Sequence, residues 1–223
     1  MKLFKHWIGA GALLALAAGS VQAVPDLRLL PASQNASNGD PITLELVISG
    51  LDAGGPDSLG DFDIDISFDT AVLSLSGFSL TDALGDLGLG DALDISLGDL
   101  GGGLVNVANV SLLETDAASC VFCIGPYLDD IQGASFAIAT FDFVVDNLPV
   151  GSSTTVAIDT VHALGDGFGM PFLDVTGSPV PASQIPTANA VIRNPAPSVP
   201  EPGVLALIAL AGIGLVGSRR LRA

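Results

Sequence analysis

Apolar and polar residues alternate one for one along much of this chain, and that period of two constrains the fold more than any other feature. The clearest instance is GDFDIDISFD, residues 60–69, where Asp61, Asp63, Asp65 and Asp69 are interleaved with Phe62, Ile64, Ile66 and Phe68. Successive side chains of a strand point to opposite faces, so the apolar residues share one face and the acids the other. Residues two apart on a strand lie about 6.6–7 Å from each other. That is too wide for neighbouring carboxylates to share a small cation without ligands from another strand or loop. The acids are therefore read as the solvated face of a half-buried strand, in preference to a metal site or an active site.

The same reading extends along the chain. Strands are expected over 41–50, 59–68, 72–80, 104–113, 135–145 and 153–164, each showing alternation or β-branched enrichment. Asn38-Gly39-Asp40, Gly54-Gly55-Pro56 and Asn147-Leu148-Pro149 supply turn chemistry between them. No amphipathic helix of useful length intervenes. Half-buried strands need a second sheet to cover their apolar faces, so the expected fold is all-β, an antiparallel two-sheet sandwich.

The two ends are of a different character. The chain opens with Lys2 and Lys5, continues with an apolar run from Ile8 to Ala18, and closes the segment with Val21 and Ala23. That pattern predicts a secretory signal peptide over 1–23, cleaved after Ala23. At the other end, Pro195, Pro197, Pro200 and Pro202 make a stiff spacer over 191–202. An apolar run over 203–217 follows, then Arg219, Arg220 and Arg222. The run is short against the ~20 residues of a full membrane-spanning helix. Its basic tail would stay cytoplasmic, which leaves the preceding domain outside.

Pro200-Glu201-Pro202, the short apolar segment and the arginine cluster Arg219, Arg220 and Arg222 together resemble the PEP-CTERM sorting signal of exopolysaccharide-producing Gram-negative bacteria. The resemblance covers about residues 198–223. It implies an exosortase as partner during export and transient anchoring in the inner membrane through the apolar helix of 203–223. The tail is then removed or replaced, and the product resides at the cell surface or in the extracellular matrix.

What remains, about residues 24–190 as a domain and up to 197 with its spacer, is one domain's worth of chain. Only Arg28 and Arg193 of the seven basic residues fall in 24–197, against every acid except Glu201, so its net charge is near −21. Such a surface repels nucleic acid and attracts cations; nucleic-acid partners are excluded. Trp7 and His6 both lie in the signal peptide, so the exported part has no tryptophan, one histidine, His162, and no lysine. There is no G-x-S-x-G nucleophile turn, and His162 sits among valines and alanines in a strand-like segment. Paired carboxylates could hydrolyse a glycoside, but that chemistry needs two acids facing each other across a sugar cleft, and Tyr127 is the sole tyrosine for stacking. No catalytic residue is assigned, and the chain is read as no enzyme.

Cys120 and Cys123 stand close together in AASCVFCIGPY, and outside the cytoplasm such a pair tends to oxidise to a short disulfide loop. Half a zinc site and a redox motif are the rival readings; the first needs two more good ligands and the second a βαβ context. Residues 81–103 carry Asp82, Asp86, Asp91, Asp94 and Asp99 among glycines. Calcium takes six to eight oxygens from a loop that can fold around it, so Asp86, Asp91 and Asp94 are the candidate metal ligands. Their spacing matches no known calcium loop, and an acidic loop without an ion is the default. Asn35-Ala36-Ser37 and Asn109-Val110-Ser111 match the glycosylation pattern and are taken as chance.

The order of the strands carries a second resemblance. SNGDPITLELVISGL, then LGDFDIDISFDTAVLSL, then a glycine-rich stretch and SFAIATFDFVV, resembles a cohesin-type module over about residues 26–165. Phe68-Asp69-Thr70-Ala71-Val72-Leu73 and Ala139-Thr140-Phe141-Asp142-Phe143 occupy the family's recurring positions, with Thr70 where proline is frequent. The resemblance implies a nine-stranded jelly roll related to carbohydrate-binding modules. Cellulosomal members bind dockerins through one sheet face, but no dockerin-binding residue can be carried over. It also implies that Asp69 begins a turn by accepting nearby backbone amides. The leading expectation is thus an exported, processed surface or biofilm-matrix protein whose sandwich binds a protein or polysaccharide partner. A calcium-dependent structural or adhesive module is the alternative, and a polysaccharide-active hydrolase the remote one.

Overall fold

A computed structural model describes residues 25–51, 58–118, 122–159, 172–173, 179–180 and 185–197. The expected signal peptide over 1–23, the apolar run over 203–217, Cys120 and His162 lie outside the described residues. Among the described residues no helix is long and apolar enough to cross a membrane.

Two sheets carry the fold. The first takes β1 (Asp26–Leu30), β3 (Pro41–Ser49), β5 (Leu73–Leu80), β9 (Ser135–Val145) and β13 (Thr187–Ala188), in the order β13-β1-β3-β9-β5. The second takes β2 (Ser33–Asn35), β4 (Asp61–Ser67), β6 (Ala92–Asp94), β8 (Leu104–Ser111), β10 (Ser153–Asp159) and β14 (Ala190–Arg193), in the order β2-β14-β10-β4-β8-β6. The short β7 (Gly98–Gly101) also pairs with β8, and β11 (Phe172–Leu173) with β12 (Pro179–Val180) forms a separate ribbon. Helical content among the described residues is a single 3-10 turn, Asp82–Leu84, and the four-residue α1, Leu128–Ile131. This is the two-sheet sandwich that the alternation predicts, of the jelly-roll kind that the cohesin resemblance implies.

Pairing is antiparallel except at one flank, where the two ends of the domain meet. There β1 pairs β13 in parallel, and β14 pairs β2 in parallel. Each terminal segment contributes to both sheets, so the chain ends close the flank between them. Pro31 lies where the first segment crosses over, a place where a missing backbone donor costs no ladder bond.

The inner faces follow the alternation. Leu44, Leu46, Ile48, Phe141, Phe143 and Val145 from the first sheet meet Phe62, Ile64, Ile66, Val105, Val107 and Val156 from the second, all buried in one core. Full burial of side chains of this size contributes about 1.5–3 kcal/mol each. Phe68 adds an edge-to-face contact with Phe143, ring centroids 5.1 Å apart. At the β4–β5 turn, Asp69 Oδ1 accepts the Ala71 N–H at 2.9 Å, the role expected of it.

Three features depart from the sequence reading. The domain does not stop at residue 190: β14 runs to Arg193 and Asn194 is buried, because Val191 and Ile192 complete the sheet beside β10. The spacer thus begins at Pro195. β1, β2, β6, β7, β11, β12 and β13 also lie outside the expected strands, being too short to display a period of their own. Lastly, Asp63 and Asp65 are not on a wet face. They point away from the core as expected, yet they retain 7% and 0% of their exposure.

Candidate functional site

The outer face of the second sheet is the most chemically distinctive surface of the domain. Its register places Asp61 beside Val110, Asp63 beside Ala108 and Asp65 beside Asn106 on the neighbouring β8. The Asn106 side chain reaches across to donate through Nδ2 to Asp63 Oδ1 at 2.6 Å and to Asp65 Oδ1 at 2.8 Å. Its own Oδ1 accepts the Leu97 N–H at 3.0 Å. One amide thus binds two buried carboxylates and a backbone donor.

β6 and β7 both pair with β8, and the residues between them bind β8 as well. Ser96 Oγ donates to the Ala108 carbonyl and accepts the Ala108 N–H at 2.9 Å. Leu97 follows immediately, pinned to Asn106. Tertiary contact, not local period, decides which acids stay wet. Asp61, at the start of β4, is half-buried, and the loss of hydration pushes its carboxyl above the usual 3.8.

The same edge leaves apolar side chains in solvent. Leu93, Ile95, Leu97 and Leu100 are all exposed along β6 and β7, and Leu89 and Leu112 are exposed next to them. Leu93 pairs with Val110 and so shares the outer face with Asp61. A run of apolar residues on a sheet edge is a liability unless it is managed or used. Here acids interleave it at Asp91, Asp94 and Asp99, and the short strands are broken by the irregularity at 95–97.

The three candidate metal ligands are not drawn together. Asp86 Oδ1 accepts the N–H groups of Gly88 and Leu89, at 2.7 and 3.1 Å. Asp94 Oδ1 accepts that of Ser96 at 2.9 Å. Asp91 meets Asp86 only through the backbone, its N–H donating to the Asp86 carbonyl at 3.0 Å. Gly85 sits so close to Asp91 that a Cβ would lie 2.7 Å from its carbonyl oxygen, at a φ of +127°. Among the described residues no group of three or more acidic, histidine or cysteine side chains is placed to hold a metal ion. Asp86 and Asp94 act as turn caps, a use their Asp-x-Gly and Asp-x-Ser spacing could have signalled.

Cys123 lies on the long β8–β9 connection, and the expected bridge to Cys120 falls on a residue outside the description. Tyr127 Oη donates to the Cys123 carbonyl at 2.9 Å. Beside it Phe122 and Ile124 are 96% and 97% exposed. Of the two glycosylation patterns, Asn109 is fully buried and Asn35 is exposed.

Comparison with known proteins matches both halves of the chain. A family model described as the PEP-CTERM protein-sorting motif matches residues 198–220. Among solved structures, the sixth cohesin of scaffoldin B from Acetivibrio cellulolyticus, in complex with a Cel5 dockerin, is similar with a TM-score of 0.52 at 16% identity. That match covers 77% of this chain and 99% of the cohesin. A type I cohesin–dockerin complex from Clostridium thermocellum gives 0.53 at 8% identity, covering 77% and 99%. A type II cohesin domain from the cellulosome of Acetivibrio cellulolyticus gives 0.52 at 14%, covering 76% and 95%. No curated protein matches. At these identities the likeness is one of fold. The chain carries a PEP-CTERM sorting motif behind a cohesin-like sandwich.

Proposed function

We propose that this chain, a cohesin-like sandwich with a PEP-CTERM motif, is exported across the inner membrane of a Gram-negative bacterium and processed there by an exosortase. It is then held at the cell surface or in the matrix, where the sandwich binds a protein partner without catalysis. The motif at 198–220 supports the export half of the reading. The binding half rests on one observation, the exposed apolar strip of Leu93, Ile95, Leu97 and Leu100 along the β6–β7 edge. Exposed strips of this kind, rimmed by charge, mark association surfaces. That two of the similar solved structures are dockerin complexes favours a protein as the partner.

Polysaccharide is the second candidate partner, and it is less well served. Sugar stacking draws on tryptophan and tyrosine faces. The exported part holds no tryptophan, and Tyr127 is engaged with the Cys123 carbonyl.

Two experiments test the reading. Deleting residues 198–223 in a host with an exosortase should shift the protein out of the cell-surface and matrix fractions; unchanged partitioning would sink the sorting half. A photo-crosslinker at position 93 or 97 of the full chain on cells should give discrete protein adducts, with none from the same group at Thr43 on the outer face of the first sheet. Equal or absent adducts from both faces would sink the binding half.

A further inference from the structure

The edges of the two sheets are not built alike. The first sheet ends on the two-residue β13 and on β5, the second on the three-residue β2 and on β6 with the four-residue β7. β5 has eight residues, and among the described residues it pairs with β9 alone. Sheet edges are ordinarily blunted by short strands, charged side chains or proline, because a free edge is a template for another strand. β5 has none of these. From Thr70 to Thr81 the chain carries no charged residue and no proline, in a domain whose net charge is near −21.

The strand is also symmetrical in residue type about its centre. In LSLSGFSL, Leu73 answers Leu80, Ser74 answers Ser79, Leu75 answers Phe78 and Ser76 answers Gly77. Its faces keep the same symmetry. Leu73, Leu75, Phe78 and Leu80 stand opposite Val145, Phe143, Phe141 and Ala139 of β9, on the core side. Ser74, Gly77 and Ser79 stand opposite Val144, Asp142 and Thr140, on the outer side, and the one register shift falls at Ser76, beside the centre. An antiparallel pair sets residues of one face directly opposite each other. Two copies of β5 therefore fit antiparallel with each leucine or phenylalanine against an apolar residue and Ser74 against Ser79.

Charge does not oppose this match. Asp142, the acid opposite Gly77, turns to β3, where its Oδ1 accepts the Thr43 hydroxyl at 2.6 Å. In a pair of copies the two Asp142 residues stand three strand spacings apart, about 14 Å. That exceeds the screening length of about 8 Å at physiological ionic strength.

We propose that the β5 edge is a docking surface for a second copy of this chain. Two β5 strands pair antiparallel about a two-fold axis between Ser76 and Gly77 and join the five-stranded sheets of two sandwiches into one. The occupant is a second copy because the strand is complementary to itself and has no charge with which to select a basic or an acidic partner. The proposal is independent of the sorting motif and of the β6–β7 strip.

The full chain, purified in a mild detergent at physiological ionic strength, is to be compared by sedimentation equilibrium with three variants. Ser74→Asp/Ser79→Asp and Ser74→Lys/Ser79→Lys each set two like-charge pairs across the axis, and each should weaken dimerisation about tenfold. Ser74→Asp/Ser79→Lys sets two opposite-charge pairs at unchanged net charge and should dimerise at least as tightly as the parent. The double lysine variant separates register from bulk repulsion, since it lowers the net negative charge and yet should weaken the dimer. A parent that stays monomeric at every concentration overturns the proposal and leaves the edge to a different partner. Association unaltered in all three variants, as for a dimer held by the apolar tail, overturns it too, and so does equal weakening in all three. Both serines are exposed in the single chain, so the circular dichroism spectra of the variants should match the parent's, which keeps a folding defect apart from a lost contact.

Discussion

The side-chain amide of Asn106 donates to Asp63 at 2.6 Å and so holds a buried carboxylate on what alternation alone marks as the solvent side of β4. The same amide serves Asp65 at 2.8 Å. Removing it takes one donor from both acids at a place with little or no exposure to water. Asn106→Leu, close in volume, should lower stability by about 3 kcal/mol or more. Urea unfolding followed by circular dichroism checks this; a loss below about 1 kcal/mol would mean the carboxylates have other support.

Asp61 should set a pH dependence of definite sign. Burial raises its carboxyl above 3.8, so the folded chain holds this proton at pH values where the unfolded chain has lost it. The stability it contributes is present below about 3.8 and is lost as pH rises through the raised folded value. Asp61→Asn removes that loss. The melting temperature of the variant minus that of the parent should therefore increase from pH 3.5 to pH 6.5, and a flat difference would contradict the burial argument.

Gly103 and Gly102 lie side by side at the tip of the β7–β8 hairpin with φ of +84° and +67°. A Cβ at Gly103 would fall 2.1 Å from the Phe68 carbonyl oxygen, whereas one at Gly102 would meet nothing within 4 Å. Gly102→Ala should cost only the left-handed backbone penalty, about 1 kcal/mol. Gly103→Ala adds a forced separation of this tip from the β4–β5 turn and should cost at least twice as much. Thermal melts of the two variants decide it.

Cation effects should be unspecific. With Asp86 and Asp94 bound to their own turns, calcium and magnesium at equal ionic strength should raise the melting temperature alike by screening a charge near −21. A calcium-specific rise lost in Asp86→Asn/Asp91→Asn/Asp94→Asn would establish the calcium-dependent module instead.

The Cys120–Cys123 pair should be oxidised in protein recovered from outside the cell. Alkylation without prior reduction, read by mass spectrometry, should leave both thiols unmodified. A loop this short confers little, so reduction should change stability by no more than about 2 kcal/mol.

Local sequence determined much of this protein. Phe62, Ile64 and Ile66 have to share a face because a strand's period is two, and that rule, with β-branched enrichment and turn chemistry, located β3, β4, β5, β8, β9 and β10. The sorting motif was legible for a similar reason, since Pro200-Glu201-Pro202, the apolar run and the arginines are contiguous. Tertiary structure decided the rest. Ala190 and Ile192 are core because β14 finds β10 and β2, partners distant in sequence that no local pattern names. Asp63 and Asp65 alternate as solvent-facing residues do, yet Asn106, more than forty residues away, makes their burial tolerable. Alternation tells which side of a sheet a residue takes; whether that side is wet depends on what the rest of the chain lays over it.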